Sequence, residues 1–276
     1  MALSLDVLVI GSASLDVLHL PGQTVSSIGG AGLYTALAAH CAGARAGMLA
    51  PRPDPMPAAM QPAAERLTWI GPVIPPDQLP RLEIAHHGGG RATLVSASWG
   101  AVNLLAPDAL PSDLHNTTIV HIAALPSAEH QLMFARACRA RGAARLSAGT
   151  YARSVAGERD QVRALFEQVE LFFMNENEAN LLFGNVGATV ARQGQLVFVT
   201  LGEHGALIIE RGHATHIPGV PAVELDPTGA GDTFCGATLA GLARGQEPET
   251  VARFAVRLAA KMIGEIGPAR LLSGPG

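Results

Sequence analysis

The chain has 276 residues and carries 19 Lys+Arg against 23 Asp+Glu, a net charge of −4, with 48% hydrophobic residues. That length suits one large α/β domain or two small ones, and the balanced charge, without blocks of one sign, argues against nucleic acid or an acidic membrane surface as partner. Lysine occurs only at Lys261, which excludes a Walker P-loop and makes Schiff-base chemistry improbable.

The apolar start of the chain, ending at Ile10, is too short and lacks the basic flank of a signal peptide, and no apolar run reaches membrane-spanning length. Cys41, Cys138 and Cys235 are odd in number, far apart and set among apolar residues. They read as buried thiols of a reducing compartment, so a soluble, cytoplasmic protein is expected. Asp6–Ile10 predicts a buried strand ending at Gly11-Ser12. Asp16 follows just beyond its carboxyl end, where open α/β sheets place ligands; a solvated turn aspartate is the other reading. Thr24–Ile28 predicts a short strand. Gly29-Gly30-Ala31-Gly32 then opens a helix running through Leu33, Ala36, Leu37 and Cys41. Glycines there let the backbone approach a ligand, though a plain tight turn fits equally.

Ala44–Ala50 predicts the next strand, Pro51–Pro55 a stiff extended passage without regular pattern until Ala58–Leu67, and Leu67–Gly71 a short strand. Leu82–His87 and Arg91–Ser98 alternate and are joined by Gly88-Gly89-Gly90, which predicts a hairpin. His86 and His87 are neighbours in a strand, so they face opposite sides and make a poor metal pair. Arg91 either reaches a site or stays on the surface. Thr118–Ala123, Arg145–Ala148 and Glu170–Met174 predict buried strands. A helix from Pro126-Ser127 through Cys138 and another over Asp160–Phe166 separate them, a βαβα rhythm that implies parallel strands with right-handed crossovers.

Asn175 and Glu178 follow directly and share a helix face; an amide beside a carboxylate suits water-mediated Mg²⁺, and equally an N-terminal cap. Leu196–Thr200 predicts a strand, and the turn Thr200–Gly205 leads into strands at Ala206–Glu210 and Ala214–Ile217. Glu224–Phe234 reads as a strand end, a tight turn of small residues and the first turn of a helix that ends near Arg244-Gly245. The uncovered amides of Gly229, Ala230 and Gly231 at the positive end of that helix suit an anion. Asp232 beside them would repel phosphate, unless it is the base for a hydroxyl attacking a phosphoryl group held by those amides. Capping of the helix is the alternative. Thr250–Ile263 predicts a helix with a broad apolar face, and the tail from Gly267 has no usable pattern. No internal repeat or flexible linker appears.

Asp226-Pro-Thr-Gly-Ala-Gly-Asp-Thr-Phe234 resembles the C-terminal signature of the ribokinase-like, or PfkB, family of carbohydrate and nucleoside kinases, and companion motifs follow in order across nearly the whole chain. The resemblance implies a three-layer αβα sandwich with a mostly parallel central sheet, a single domain over 1–276, and a small β lid from segments about 13–28 and 82–100. It implies an ATP-dependent phosphotransferase that moves the γ-phosphoryl group to a hydroxyl of a small sugar, cyclitol or nucleoside. Asp232 would be general base and the Gly229–Gly231 amides the anion hole. Asp16, Gly29, Gly30, Tyr34 and Arg91 would lie on the substrate side. Tyr34 stands where the family has a sugar-binding Asn, and Ala124 where ribose-binding members place a Glu, which argues against ribose itself. Tyr34 could stack on a ring or donate a phenolic hydrogen bond.

On the nucleotide side the resemblance implies Asn175, Thr200, Gly202, Gly205, Thr228 and Ala259, with Mg²⁺ held through water by Glu178. Asp226, with Thr228, resembles a monovalent-cation site for K⁺. Relatives of this kind include homodimers formed through the lid. The altered substrate side also admits a non-catalytic nucleotide-binding regulator on the same fold, and a phosphomethylpyrimidine-type kinase is a second enzymatic alternative.

Overall fold

The structure, a computed structural model, describes residues 4–274. Its central element is β1 (Leu5–Ile10), apolar at nearly every position because it has a parallel neighbour on each side and helices over both faces. β2 (Ser14–Leu20) and β3 (Gln23–Gly29) form a hairpin away from it, and α1 (Ala31–Cys41) returns the chain to β4 (Ala46–Leu49) beside β1. The proline-rich passage then holds β5 (Arg52–Pro53), the single turn α2 (Gln61–Ala64), β6 (Thr68–Ile70) and β7 (Val73–Ile74). The stretch 58–67 is thus broken into a 3₁₀ turn and one α turn, with Pro62 inside α2.

β8 (Arg81–His86) and β9 (Ala92–Ser98) make the second hairpin. β10 (Thr117–Ile122), α3 (Ala128–Ala140), β11 (Leu146–Gly149), α4 (Ala152–Gly157), α5 (Arg159–Gln168), β12 (Leu171–Asn175), α6 (Glu176–Phe183) and β13 (Leu196–Thr200) realise the expected alternation. α4 was not legible in the sequence. Ser127 caps α3, its hydroxyl accepting the His130 amide at 3.1 Å. β14 (Ala206–Glu210) and β15 (His213–Ile217) close the sheet as antiparallel edge strands, and α7 (Ala230–Ala243), α8 (Pro248–Met262) and α9 (Ala269–Leu272) complete the chain. The patternless tail therefore contains a helical turn. Glu224–Asp226 is irregular, with a bend at Leu225, and pairs with no strand: the amides of Leu225 and Asp226 donate to Ile263 O, at the end of α8, at 2.8 and 3.0 Å.

The main sheet runs β15-β14-β13-β12-β11-β10-β1-β4-β6 among the described residues, parallel from β13 to β6. One apolar core joins its first face to α1, α7 and α8, and another joins its opposite face to α3, α5 and α6. This is a three-layer αβα sandwich. A separate small sheet, ordered β3-β2-β8-β9, contains both segments expected of a lid. The three cysteines are free and buried, and no helix among the described residues is long and apolar enough to cross a membrane.

α1 and α7 approach closely at Gly236, where a Cβ would overlap the Thr35 carbonyl of α1. Gly236→Val is therefore expected to lower the free energy of unfolding by at least about 1–3 kcal/mol, the usual cost of overpacking. Chemical denaturation measures it, and an unchanged midpoint would show that the helices do not meet there.

Candidate active site

The parallel strands end on one side of the sheet, and a cleft of about 280 Å³ opens there, lined by Gly229, Gly231, Asp232, Asn175, Glu178 and Thr200 among others. α7 begins at Gly229, whose φ of 77° is left-handed and whose missing side chain leaves room for the Tyr34 ring of α1 directly beneath it. No side chain caps this helix. The Ala230 amide donates to Pro227 O at 3.2 Å and so is already used within the turn, contrary to the expectation that it serves the anion. The amides of Gly229, Gly231 and Asp232 have no hydrogen-bond partner among the described residues. They point their unmet donors at the positive end of a 14-residue helix.

Asp232 is not a cap. Its carboxylate lines the cleft and makes no hydrogen bond or ion pair with the protein among the described residues. Burial pushes its pKa up to about 7. Across the cleft, Asn175 and Glu178 form a reciprocal capping box at the start of α6. Asn175 N and Nδ2 donate to Glu178 at 2.9 and 2.8 Å, and Glu178 N donates to Asn175 Oδ1 at 2.9 Å. Burial, with the Asp232 charge adding in the same direction, raises Glu178 to about 7. Both Glu178 oxygens already accept from Asn175, so this carboxylate fits Mg²⁺ held through water better than an ion bound directly. Among the described residues no group of three or more His, Cys, Asp or Glu could hold a metal ion outright.

His121, inside the strand expected over Thr118–Ala123, lies in β10 and lines the cleft. Its Nδ1 is 2.8 Å from Ser147 Oγ, Cys235 Sγ of α7 lies 3.7 Å from its Nε2, and burial drives its pKa down to about 3. It is a neutral, packed imidazole. Burial raises the Cys235 thiol well above its ordinary value, so both residues are inert wall.

On the small-sheet side, Asp16 sits in β2 and is buried, not in a turn beyond β1. Its carboxylate packs against Gly29 of β3 so tightly that no side chain fits at Gly29. Burial raises Asp16 to about 6 against Ser14 and the Leu82 backbone, which pull it down, and neither its Oδ1 nor the neighbouring Ser14 Oγ has a well-aligned protein partner. Ala31 lines the cleft, whereas Asp16, Gly29, Gly30 and Tyr34 lie outside its lining. Tyr34 does not offer a free ring for stacking: it is 1% exposed, pressed against Gly229, with its hydroxyl unpaired. Burial raises its pKa well above the ordinary value, and the carboxylates of Asp226, Asp16 and Asp232 push the same way.

Arg91 is exposed, and its side chain makes no hydrogen bond or ion pair among the described residues, so the structure does not bring it to the cleft. Gly202, Gly205 and Ala259 also lie outside the lining, while Thr200 is part of it. Thr228 is engaged within the protein: its amide donates to Asp226 Oδ1 at 2.9 Å and its Oγ1 lies 2.9 Å from His86 Nε2. His86, the last residue of β8, is buried, and His87 just beyond the strand is exposed. What local sequence could not reveal is that His86 meets the 226–228 turn from 142 residues away.

The sequence pattern described as pfkB family carbohydrate kinase matches residues 4–273. A cytidine kinase of Thermococcus kodakarensis is 28% identical over 274 residues, covering 95% of this chain and 98% of the relative. Among solved structures, a Burkholderia thailandensis nucleoside kinase in complex with inosine superposes with a TM-score of 0.77 at 21% identity, covering 95% of this chain and 92% of the other. A Cryptococcus neoformans ribokinase in complex with ADP gives a TM-score of 0.77 at 20% identity, covering 99% and 97%.

Three raised carboxyls give the ligand-free protein a defined pH response. Glu178 and Asp232 near 7 and Asp16 near 6 hold protons when folded that they release when unfolded. Their contribution to stability is complete below their unfolded values and is lost as pH rises through 6 to 7. His121, depressed from 6.5, acts in the opposite sense only below that pH. Between about pH 6.5 and 8 the Tm of the apoprotein should therefore fall, and Asp232→Asn should flatten that slope. A Tm that rises across this interval would contradict the burial of these groups.

Proposed function

The chain belongs to the pfkB family of carbohydrate kinases, ATP-dependent enzymes that phosphorylate a sugar or nucleoside, and from that premise we propose that its acceptor is a nucleoside and Asp232 its general base. The observation that carries the reading is a cleft carboxylate without a protein partner, beside helix-start amides that also lack one. That pairing suits a base facing a phosphoryl cradle and suits little else. A non-catalytic regulator would have no use for such a carboxylate, and the family assignment leaves no observation in its favour.

In this mechanism Asp232 accepts the proton of the acceptor hydroxyl as that oxygen bonds to the γ-phosphorus and the bond from phosphorus to the ADP oxygen breaks. The Gly229, Gly231 and Asp232 amides bear the charge on the transferring oxygens, with no reorganisation at the moment of reaction. Glu178, oriented by Asn175, would hold Mg²⁺ through water. When bound, that ion neutralises charge on the phosphates. Asp16 Oδ1 and Ser14 Oγ, buried and unpaired, suit two hydroxyls of a sugar ring. The small sheet, acting as a lid, would exclude water that otherwise competes as acceptor. Support for a nucleoside over a free sugar comes from the cytidine kinase, similar over nearly its whole length.

Asp232→Asn is expected to keep ATP affinity and lose about 10²–10⁴ in kcat, the share usual for a general base. Full retention of kcat would remove Asp232 from that role. In the wild type, kcat/KM should rise with pH along an acid limb near 7, because the base must be ionised and burial holds it at about 7. Initial rates across nucleosides, free sugars and cyclitols should favour a nucleoside by kcat/KM; preference for a sugar or cyclitol would overturn the acceptor assignment.

A further inference from the structure

Two links tie the small sheet to the passage that leads into α7. At the end of β8, His86 Nε2 lies 2.9 Å from Thr228 Oγ1 and 3.5 Å from Asp226 Oδ1. Beyond it, the Gly90 amide donates to both carboxylate oxygens of Glu224, at 2.9 and 3.1 Å. Asp226 is 0% exposed. Its Oδ1 accepts the Thr228 amide at 2.9 Å and its Oδ2 the Gly267 amide at 2.7 Å. Both oxygens are therefore satisfied by N–H donors, and the approach to Oδ1 is shared with an imidazole nitrogen.

That donor set does not fit the monovalent-cation site which the sequence resemblance assigned to Asp226 and Thr228. A hard cation needs a shell of oxygen lone pairs facing it. Here a ring nitrogen from the small sheet stands between the two side chains named for that shell. With the proton on Nε2, one N–H reaches Thr228 Oγ1 and Asp226 Oδ1 together and adds a third polar donor to the buried carboxylate. Thr228 immediately precedes Gly229, so whatever fixes Thr228 also fixes the turn that leaves the Gly231 and Asp232 amides unmet.

We propose that His86 is a positioning residue: it ties the small sheet to the turn before α7 and fills the place beside Asp226 and Thr228 that a monovalent cation would take. Phosphoryl transfer by this chain then requires no K⁺. The inference rests on the reading of the α7 amides as the phosphoryl cradle, because His86 acts on the reaction only through that turn.

The test compares wild type, His86→Ala and His86→Gln in KCl and in choline chloride at equal ionic strength, by initial rates and by Tm without nucleotide. Wild type should show the same kcat and the same Tm in both salts. His86→Ala should lose on the order of 10²-fold in kcat, as a displaced cradle does, with KM for ATP little changed. Potassium, but not choline, should restore part of that loss and raise the Tm of this variant. His86→Gln, whose amide can place an N–H near the ring nitrogen, should recover most of the turnover, and it stands in if the alanine variant does not fold. Wild-type kcat severalfold higher in KCl than in choline chloride would overturn the proposal, as would His86→Ala with wild-type kcat. Failure of the underlying reading looks different: Asp232→Asn would then remain active, whatever the salt.

Discussion

The first turn of α7 begins at a left-handed glycine with no side chain to cap it, so the amides of Gly229, Gly231 and Asp232 must find their partner outside the chain. A helix end left this way costs stability unless water or a ligand meets the donors. The surrounding structure holds the turn in that state. The Tyr34 ring lies under Gly229, the Leu225 and Asp226 amides hang from the end of α8, and the Asp226 carboxylate bridges the Thr228 and Gly267 amides. Each contact comes from a different part of the chain, so the donors are aimed before any ligand arrives. Such preorganisation is what makes fixed dipoles effective when charge moves.

The same packing sets the acid–base character of the cleft. Asp16, Glu178 and Asp232 are all raised towards neutrality, and burial is the largest cause each time. Their surroundings nevertheless differ. Glu178 is held on both oxygens by Asn175, which keeps it as a fixed carboxylate suited to a hydrated cation. Asp16 is wedged against Gly29 with one oxygen unpaired, as a group awaiting a hydroxyl would be. Asp232 alone has no protein partner, and a base must be free to take a proton.

Much of this was legible in the sequence because it is local. The βαβ rhythm, the hairpin at residues 82–98, the small-residue turn at 229–231 and the Asn175–Glu178 pair depend on spacing, and spacing survives folding. What sequence reasoning missed depends on distant packing. Tyr34 reads as a ring free to stack, yet α1 carries it under Gly229, nearly two hundred residues later. Ala230 reads as an open amide, but the turn consumes it through Pro227. The strand end expected before residue 226 is an irregular passage, because its amides pair with the end of α8 and not with a sheet. His86 gave only the signal that it and His87 face opposite sides of a strand, which says neither which of them is buried nor what it touches.

A structure of the protein bound to ADP, a planar fluoroaluminate in place of the transferring group, and cytidine addresses the central claim most directly. The account predicts fluorine atoms about 3 Å from the Gly231 and Asp232 amide nitrogens, with a ribose hydroxyl between the fluoroaluminate and the Asp232 carboxylate. A fluoroaluminate held elsewhere, or an Asp232 side chain turned away from the acceptor hydroxyl, would contradict it.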